Sequence, residues 1–197
     1  WSPRFVYHGF RYAELSIAGE APQQLAVAAH AVHTSFEEAG HFSCSDDMIN
    51  KIQQSTRWSY RNNFVGFPTD CPQREKNGWT GETGLANFDA VTSYKKWLQD
   101  LRDEQQADGS LPGIVPTSGW GYYWGNGPAW DIACVVIPWT VYAYTGDTTV
   151  LRENYAMMKK YVDYMHSRSP GYITDFGLGD WIPVETVTPV AVTSTGY

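Results

Sequence analysis

The sequence predicts a mainly helical fold, its helices in concentric layers as in an α/α barrel, with a short β segment in front of them. Three observations carry this. Apolar residues between 4 and 36 recur close to every second position, whereas from Ser45 onward they recur with a helical period. Strands and helices do not alternate, which argues against a doubly wound sheet. A buried helix followed by an amphipathic one suits layered helices, although periodicity alone does not separate a barrel from a bundle.

The elements follow in order. Phe5, Tyr7, Phe10, Tyr12, Leu15 and Ile17 come near to period two, with a slip at Gly9 that reads as a bulge. After the turn signal Gly19-Glu20-Ala21-Pro22, the alternation resumes at Leu25, Val27, Ala29, Ala31 and His33. Two strands alone are marginal in water, so they need a neighbour to lean on. Ser45 is a suitable N-cap for a first helix, with Asp46 and Asp47 in its first turn and Met48, Ile52, Thr56, Ser59 and Asn63 on one stripe. A second helix is expected from about Glu82 to Gln106, with Leu85, Phe88, Thr92, Leu98 and Leu101 near one face. Residues 108 to 128 read as a Gly/Pro/aromatic loop. A third helix near 130 to 144 is apolar almost all round and is therefore expected to be buried, with a kink or late start at Pro138. Asp147-Thr148 opens a fourth, whose Leu151, Tyr155, Met158, Val162 and Met165 form one stripe, and Ser169-Pro170-Gly171 stops it.

Composition excludes several functions. Hydrophobic residues make up 43% of the 197, enough for a real core. A net charge of −7 argues against a nucleic-acid partner, and Lys95-Lys96 and Lys159-Lys160 read as solvated helix faces. Cys44, Cys71 and Cys134 lack metal-ligand spacing and read as buried small residues, which fits a reducing compartment. The histidines, mostly His8, His30 and His33, have no metal-binding spacing either, so neither metal nor cofactor is expected. No run approaches the length of a membrane span, and no signal peptide opens the chain. A soluble protein without a membrane partner is expected, its compartment, periplasmic or cytoplasmic, left open. The first residues, Trp1-Ser2-Pro3-Arg4-Phe5, read like the middle of a longer protein.

The chemistry concentrates in loops. Residues 70 to 82 hold three carboxylates (Asp70, Glu75, Glu82), the guanidinium of Arg74 and the indole of Trp79, in a stretch broken by Pro72, Gly78 and Gly81. Glycoside hydrolysis needs such a set: one carboxyl that donates a proton, ionised groups that hold hydroxyls or activate water, and a flat ring for the sugar face. The same residues would serve equally as helix caps (Asp70, Glu82) and an ion-pair partner (Arg74). Aromatic residues reach 15%, with nine Trp and thirteen Tyr. Trp79, Trp124 and Trp130 stand on or near glycine-hinged backbone and read as site residues, whereas Trp58, Trp97 and Trp139 lie on helices and read as core. A third loop, 174 to 181, repeats the acid-Gly-Trp theme. Its Gly-Leu-Gly is not a dinucleotide fingerprint, nor is its Asp spacing that of a calcium loop.

At Pro68-Thr69-Asp70-Cys71-Pro72-Gln73-Arg74-Glu75 followed by Gly78-Trp79-Thr80-Gly81, the chain resembles the bacterial α-L-rhamnosidases of glycoside hydrolase family 78. The resemblance extends to Tyr7-His8-Gly9-Phe10-Arg11-Tyr12, Gly127-Pro128-Ala129-Trp130-Asp131 and Asp175-Phe176-Gly177-Leu178-Gly179-Asp180-Trp181, in the family's order. It implies that residues 1–40 are the tail of a β-sandwich domain and 41–197 the N-terminal part of an (α/α)6-barrel catalytic domain. It implies inverting release of terminal α-L-rhamnose from an oligosaccharide or glycoside, without a cofactor. Glu75 then aligns with the general acid, Asp70 and Glu82 with acids that bind sugar hydroxyls, and Arg74 with a motif arginine beside them. Trp79, Trp130 and Trp181 align with rings lining the sugar pocket, and Asp131 is expected with them as a substrate-binding group.

Two departures stand out. The family usually carries Asp where this chain has Glu82, one methylene longer. The family's general base lies on a helix of the barrel's second half, downstream of Tyr197, so the remaining half of the barrel is an expected partner and the isolated chain is expected to be inactive. The competing readings are a non-catalytic carbohydrate-binding or scaffold module with the same aromatic pocket, and another inverting exo-glycosidase on the same barrel.

Overall fold

The computed structural model describes residues 2–20, 22–82, 88–117, 119–122 and 127–178. Its regular elements begin with strand β1 (Glu37–Glu38) and helix α1 (Asp47–Asn62), followed by the short strands β2 (Phe64–Val65) and β3 (Phe67–Pro68). A 3₁₀ turn (Thr80–Glu82), strand β4 (Phe88–Asp89) and helix α2 (Val91–Glu104) come next. Helices α3 (Pro128–Asp131), α4 (Ala133–Thr145) and α5 (Thr148–Arg168) and a last 3₁₀ turn (Pro170–Tyr172) complete the order. The fold is mainly helical, as the periodicity predicts. Its strands are two antiparallel pairs, β1 with β4 and β2 with β3.

The two strands expected between 4 and 36 do not form: the described residues there carry neither helix nor strand, and Phe5, Phe10 and Tyr12 stand exposed. A lone pair of strands does not offset its own ordering entropy. The segment does attach near its end, where the Thr34 amide donates to the Phe64 carbonyl at 2.8 Å and its hydroxyl accepts the Gly66 amide at 2.8 Å.

Helix α1 starts one residue later than its sequence signal. Asp46, not Ser45, is the N-cap, its carboxylate accepting the amides of Met48 (2.8 Å) and Ile49 (3.3 Å). The helix also turns a different face inward. Asn50, Gln53, Arg57, Tyr60, Arg61 and Asn62 are the partly covered residues, while Met48, Ile52, Thr56 and Ser59 face outward. The partners decide this. Arg57 and Arg61 both reach Glu38 (2.6 and 3.2 Å), and both lie over the Phe88 ring at under 5 Å (4.8 and 4.7 Å). Beneath them Phe36, Tyr60, Phe64, Phe88 and Tyr94 form an aromatic cluster that fastens the β1–β4 pair to α1 and α2.

Helix α2 begins nine residues later than expected. Phe88 and Asp89 are taken by the pairing with β1, and the Asp89 carboxylate accepts the Val91 amide at 3.1 Å in a local turn, so the helix starts at Val91 rather than at Glu82. Its inward face is Tyr94, Trp97, Leu98 and Leu101, which leaves Thr92 exposed. The Trp97 indole is fully buried and donates to the Val115 carbonyl at 2.8 Å, so this ring is core as expected. Trp58 and Trp139 are not: they are 63% and 61% exposed.

Helix α4 is the spine. It packs on both α2 and α5 and buries Ala133, Cys134, Ile137, Pro138 and Val141. The chain breaks at Ile132, between α3 and α4, and Pro138 sits inside the second piece. The expected full burial holds for one side only, because Ile132, Val136 and Trp139 are exposed on the other. Asp147 caps α5 through the Thr149 amide (2.8 Å) and meets Lys95 of α2 at 2.6 Å. The buried stripe of α5 is Val150, Asn154, Met157, Tyr161, Tyr164 and Met165; Met165 is inside as expected, the rest lie about one position round from the expected stripe, and the helix stops at Ser169-Pro170 as predicted.

Candidate active site

Strand β3 delivers the chain to a loop closed largely by its own atoms. The Thr69 amide and hydroxyl both donate to the Asn63 carbonyl (2.7 and 3.0 Å), which turns the chain back over the end of α1. Residues 70–77 then form a closed loop. The Asp70 amide donates to the Asn77 carbonyl at 3.1 Å, and the Asn77 amide returns to Asp70 Oδ1 at 2.9 Å. Inside it, the Cys71 thiol donates to Asp70 Oδ2 at 3.1 Å while its sulfur accepts the Glu75 amide at 3.2 Å. One half-buried thiol thus touches both acids. The expectation of a buried, inert residue holds for Cys134, whose thiol burial pushes well above its ordinary pKa, and not for Cys71; Cys44 is exposed.

Glu75 stands on the outer edge of this loop, exposed, and its Oε2 accepts the Trp79 indole N–H at 2.9 Å. Trp79 is fixed in turn by backbone pairing with the 113–115 strip: the Thr80 amide donates to the Gly113 carbonyl and the Val115 amide to the Gly78 carbonyl, each at 2.8 Å. Only glycine fits at 78, since a β-carbon there would lie 2.1 Å from the Val115 oxygen. Gly81 is needed for a different contact. The Trp130 ring lies on its backbone, 2.3 Å from where a β-carbon would stand. Trp79 and Trp130 thereby meet with centroids 5.4 Å apart and planes tilted by 56°, a contacting aromatic pair with the Glu75 carboxylate bonded to the Trp79 edge.

Asp131 lies behind these rings and is fully buried. Its Oδ2 accepts the Gly127 amide at 2.9 Å and its Oδ1 lies 3.4 Å from the Thr80 hydroxyl, so it braces the 127–131 turn against the Trp79 strip. The 174–178 loop abuts the same turn, with the Gly177 α-carbon 3.0 Å from a β-carbon placed on Gly127. The 70–82 loop and the 127–131 turn therefore meet at the two indoles, and the 174–178 loop backs that turn at Gly127.

Arg74 is exposed and forms no hydrogen bond or ion pair with a described residue. Glu82 closes the 3₁₀ turn after Trp79, and the expectation for its carboxylate lies outside what is described. The expectations for Trp124 and Trp181 also fall outside the described residues. Among the described residues no cluster of three His, Cys, Asp or Glu side chains is placed to hold a metal, and no helix is long and apolar enough to cross a membrane. Sequence reasoning missed Cys71 and Thr80 as organisers. The only local signal was a thiol set between two acids in a Pro-containing turn.

The arrangement sets a carboxyl group beside an aromatic pair, which is chemistry suited to protonating a glycosidic oxygen. Comparison with known proteins gives the family. An α-L-rhamnosidase from Formosa agariphila is 37% identical over 200 residues, covering 92% of this chain and 20% of that protein. The structure of an α-L-rhamnosidase from Dictyoglumus thermophilum superposes with a TM-score of 0.74 at 41% identity, over 80% of this chain and 18% of that one. The Streptomyces avermitilis α-L-rhamnosidase, solved with L-rhamnose, gives 0.69 at 32% identity, over 80% of this chain and 16% of that one. The chain thus spans about a fifth of the length of the curated relatives it matches. Residues 37–197 match the model of the bacterial alpha-L-rhamnosidase 6 hairpin glycosidase domain. Since that model covers most of the chain, the chain belongs to the bacterial α-L-rhamnosidase six-hairpin glycosidase family.

Proposed function

We propose that this chain supplies the acid half of the active site of an α-L-rhamnosidase, with Glu75 protonating the glycosidic oxygen of a terminal α-L-rhamnoside. The carrying observation is the 2.9 Å hydrogen bond from the Trp79 indole to Glu75 Oε2 at the edge of the Trp79–Trp130 pair. It holds a carboxyl beside an aromatic wall on which the apolar face of a pyranose stacks. Asp70 and Arg74, on the same loop, are proposed to take sugar hydroxyls together with Glu82, and Trp181 to add a further ring. Asp131 is assigned a different part: fully buried and bonded to the Gly127 amide and the Thr80 hydroxyl, it braces the turn that carries Trp130 rather than touching the sugar.

Inversion requires a second carboxylate roughly 6.5–9.5 Å from the first, leaving room for the attacking water. That group is proposed to come from the remainder of the barrel in the full-length protein. Residues 1–40 are read as the tail of a β-sandwich domain and 41–197 as the start of the barrel, a division supported by a family match that begins at residue 37. The relatives are named as hydrolases, so the non-catalytic alternative gains no support from them.

Glu75→Gln in the full-length protein tests the assignment. An isosteric amide keeps the Trp79 contact but has no proton to give. Turnover of an alkyl α-L-rhamnoside is expected to fall by about 10²-fold or more. Near-normal turnover of that poor-leaving-group substrate would refute the role.

A further inference from the structure

Tyr7 stands apart in the N-terminal segment: among the described residues from 2 to 33 it is the only one that is not exposed. What covers it is the acid loop. The Lys76 ammonium donates to the Tyr7 carbonyl at 2.7 Å and lies 4.9 Å from the centroid of the Tyr7 ring, so one cation grips both the backbone and the side chain of one residue. The phenol faces Thr69, Asp70 and Cys71. Burial raises its pKa above the ordinary value, a hydrogen bond with Thr69 acts the other way, and the charges of Asp70 and Cys71 add to the rise. Two residues further on, Gly9 lies flat against Gln73, whose β-carbon is 2.9 Å from where a Gly9 β-carbon would stand.

The gripping residue is itself unusual. Lys76 has φ of 57°, in the left-handed region that residues with a side chain rarely adopt. Such a backbone persists where its surroundings hold it. Here it reverses the chain directly after Glu75, so that Asn77 can return to Asp70. If Lys76 relaxed to a common conformation, the peptide after Glu75 would rotate and carry the carboxyl away from the Trp79 indole.

We propose that residues 7–9 are a clamp on the acid loop, acting through Lys76 to hold Glu75 in its proton-donating position. Tyr7, Gly9 and Lys76 are positioning residues in this scheme, and the segment ahead of the helical domain is part of the active-site architecture. The inference rests on the reading of Glu75 as general acid.

Leaving-group dependence separates positioning from general stability. Departure of an alkoxide needs the acid, whereas dinitrophenolate leaves without help. In the full-length protein, Lys76→Met and Gly9→Val are expected to lower kcat on methyl α-L-rhamnoside by about tenfold or more. Turnover of the 2,4-dinitrophenyl rhamnoside and both KM values should stay within about twofold, and Lys76→Arg should restore methyl rhamnoside turnover by renewing the grip. The two disruptive changes approach the contact from opposite sides, so either carries the comparison if the other does not fold. An equal loss on both substrates, or wild-type rates in both variants, overturns the clamp. A wild-type protein that hydrolyses neither rhamnoside overturns the rhamnosidase reading, and the clamp with it.

Discussion

The Cys71 thiol occupies a position that a simple count of acids overlooks. It donates to one carboxylate and accepts the amide of the residue bearing the other, at 3.1 and 3.2 Å. Sulfur bonds are weak, but losing both frees the loop at the residue proposed to move a proton, where geometry is costly to lose. Cys71→Ala is therefore expected to lower kcat by about tenfold in the full-length protein with KM changed by less than about threefold, and Cys71→Ser to recover part of the loss. Kinetics on an alkyl rhamnoside check this, and an unchanged kcat in the Ala variant would show that the thiol is incidental. The sequence did disclose the Asp70, Glu75 and Trp79 constellation, because all three sit within one short motif. It did not disclose the brace from Asp131 to Thr80 or the contact of Tyr7 with Lys76. Those pairs are joined by folding across long stretches of chain, and no local pattern encodes them.

Among the elements, sequence signals marked ends better than faces. Asp147 and Ser169-Pro170 delimit α5 as expected, since a cap or a proline acts on its own neighbours. Which stripe of α1 or α5 turns inward depends on what waits there, and for α1 that is Glu38 and the Phe88 ring rather than an apolar wall. The late start of α2 has the same origin, in a strand pairing that claims Phe88 and Asp89. The link between α2 and α5 yields a pH prediction. Hydrogen bonds from Lys95 and then from the Thr149 amide hold the Asp147 carboxyl at about 2, below its ordinary 3.8. A depressed acid stabilises the folded state above its unfolded pKa and loses that contribution as pH falls through the folded one, here between about pH 4 and 2. Lys95→Met should therefore lower the melting temperature slightly at neutral pH, the loss being small because the pair is surface-exposed, and converge on wild type toward pH 2, which flattens the acid limb. An acid limb identical to wild type would remove Lys95 as its cause.

For the whole molecule, the informative surfaces are two apolar faces. Met48, Ile49, Ile52 and Trp58 of α1 and Ile132, Val136 and Trp139 at α4 are all substantially exposed. Patches of this kind mark contact surfaces or association hazards. The chain also spans only about a fifth of its curated relatives. Purified alone, the 197-residue chain is expected to self-associate and to show no rhamnoside hydrolysis, and Trp139→Glu with Ile52→Lys to raise its monomer fraction in light scattering after size exclusion. A monodisperse wild-type monomer would show that these faces need no cover.

The bond between the Trp79 indole and Glu75 has one more implication. In the proposed reading, the ring that grips the sugar also aims the proton donor, so recognition and reactivity share a single side chain. Such sharing restricts how the protein can diversify. A change at position 79 that admits a new sugar misaligns the donor in the same step, so altered preference must arise at parts that touch the ligand alone.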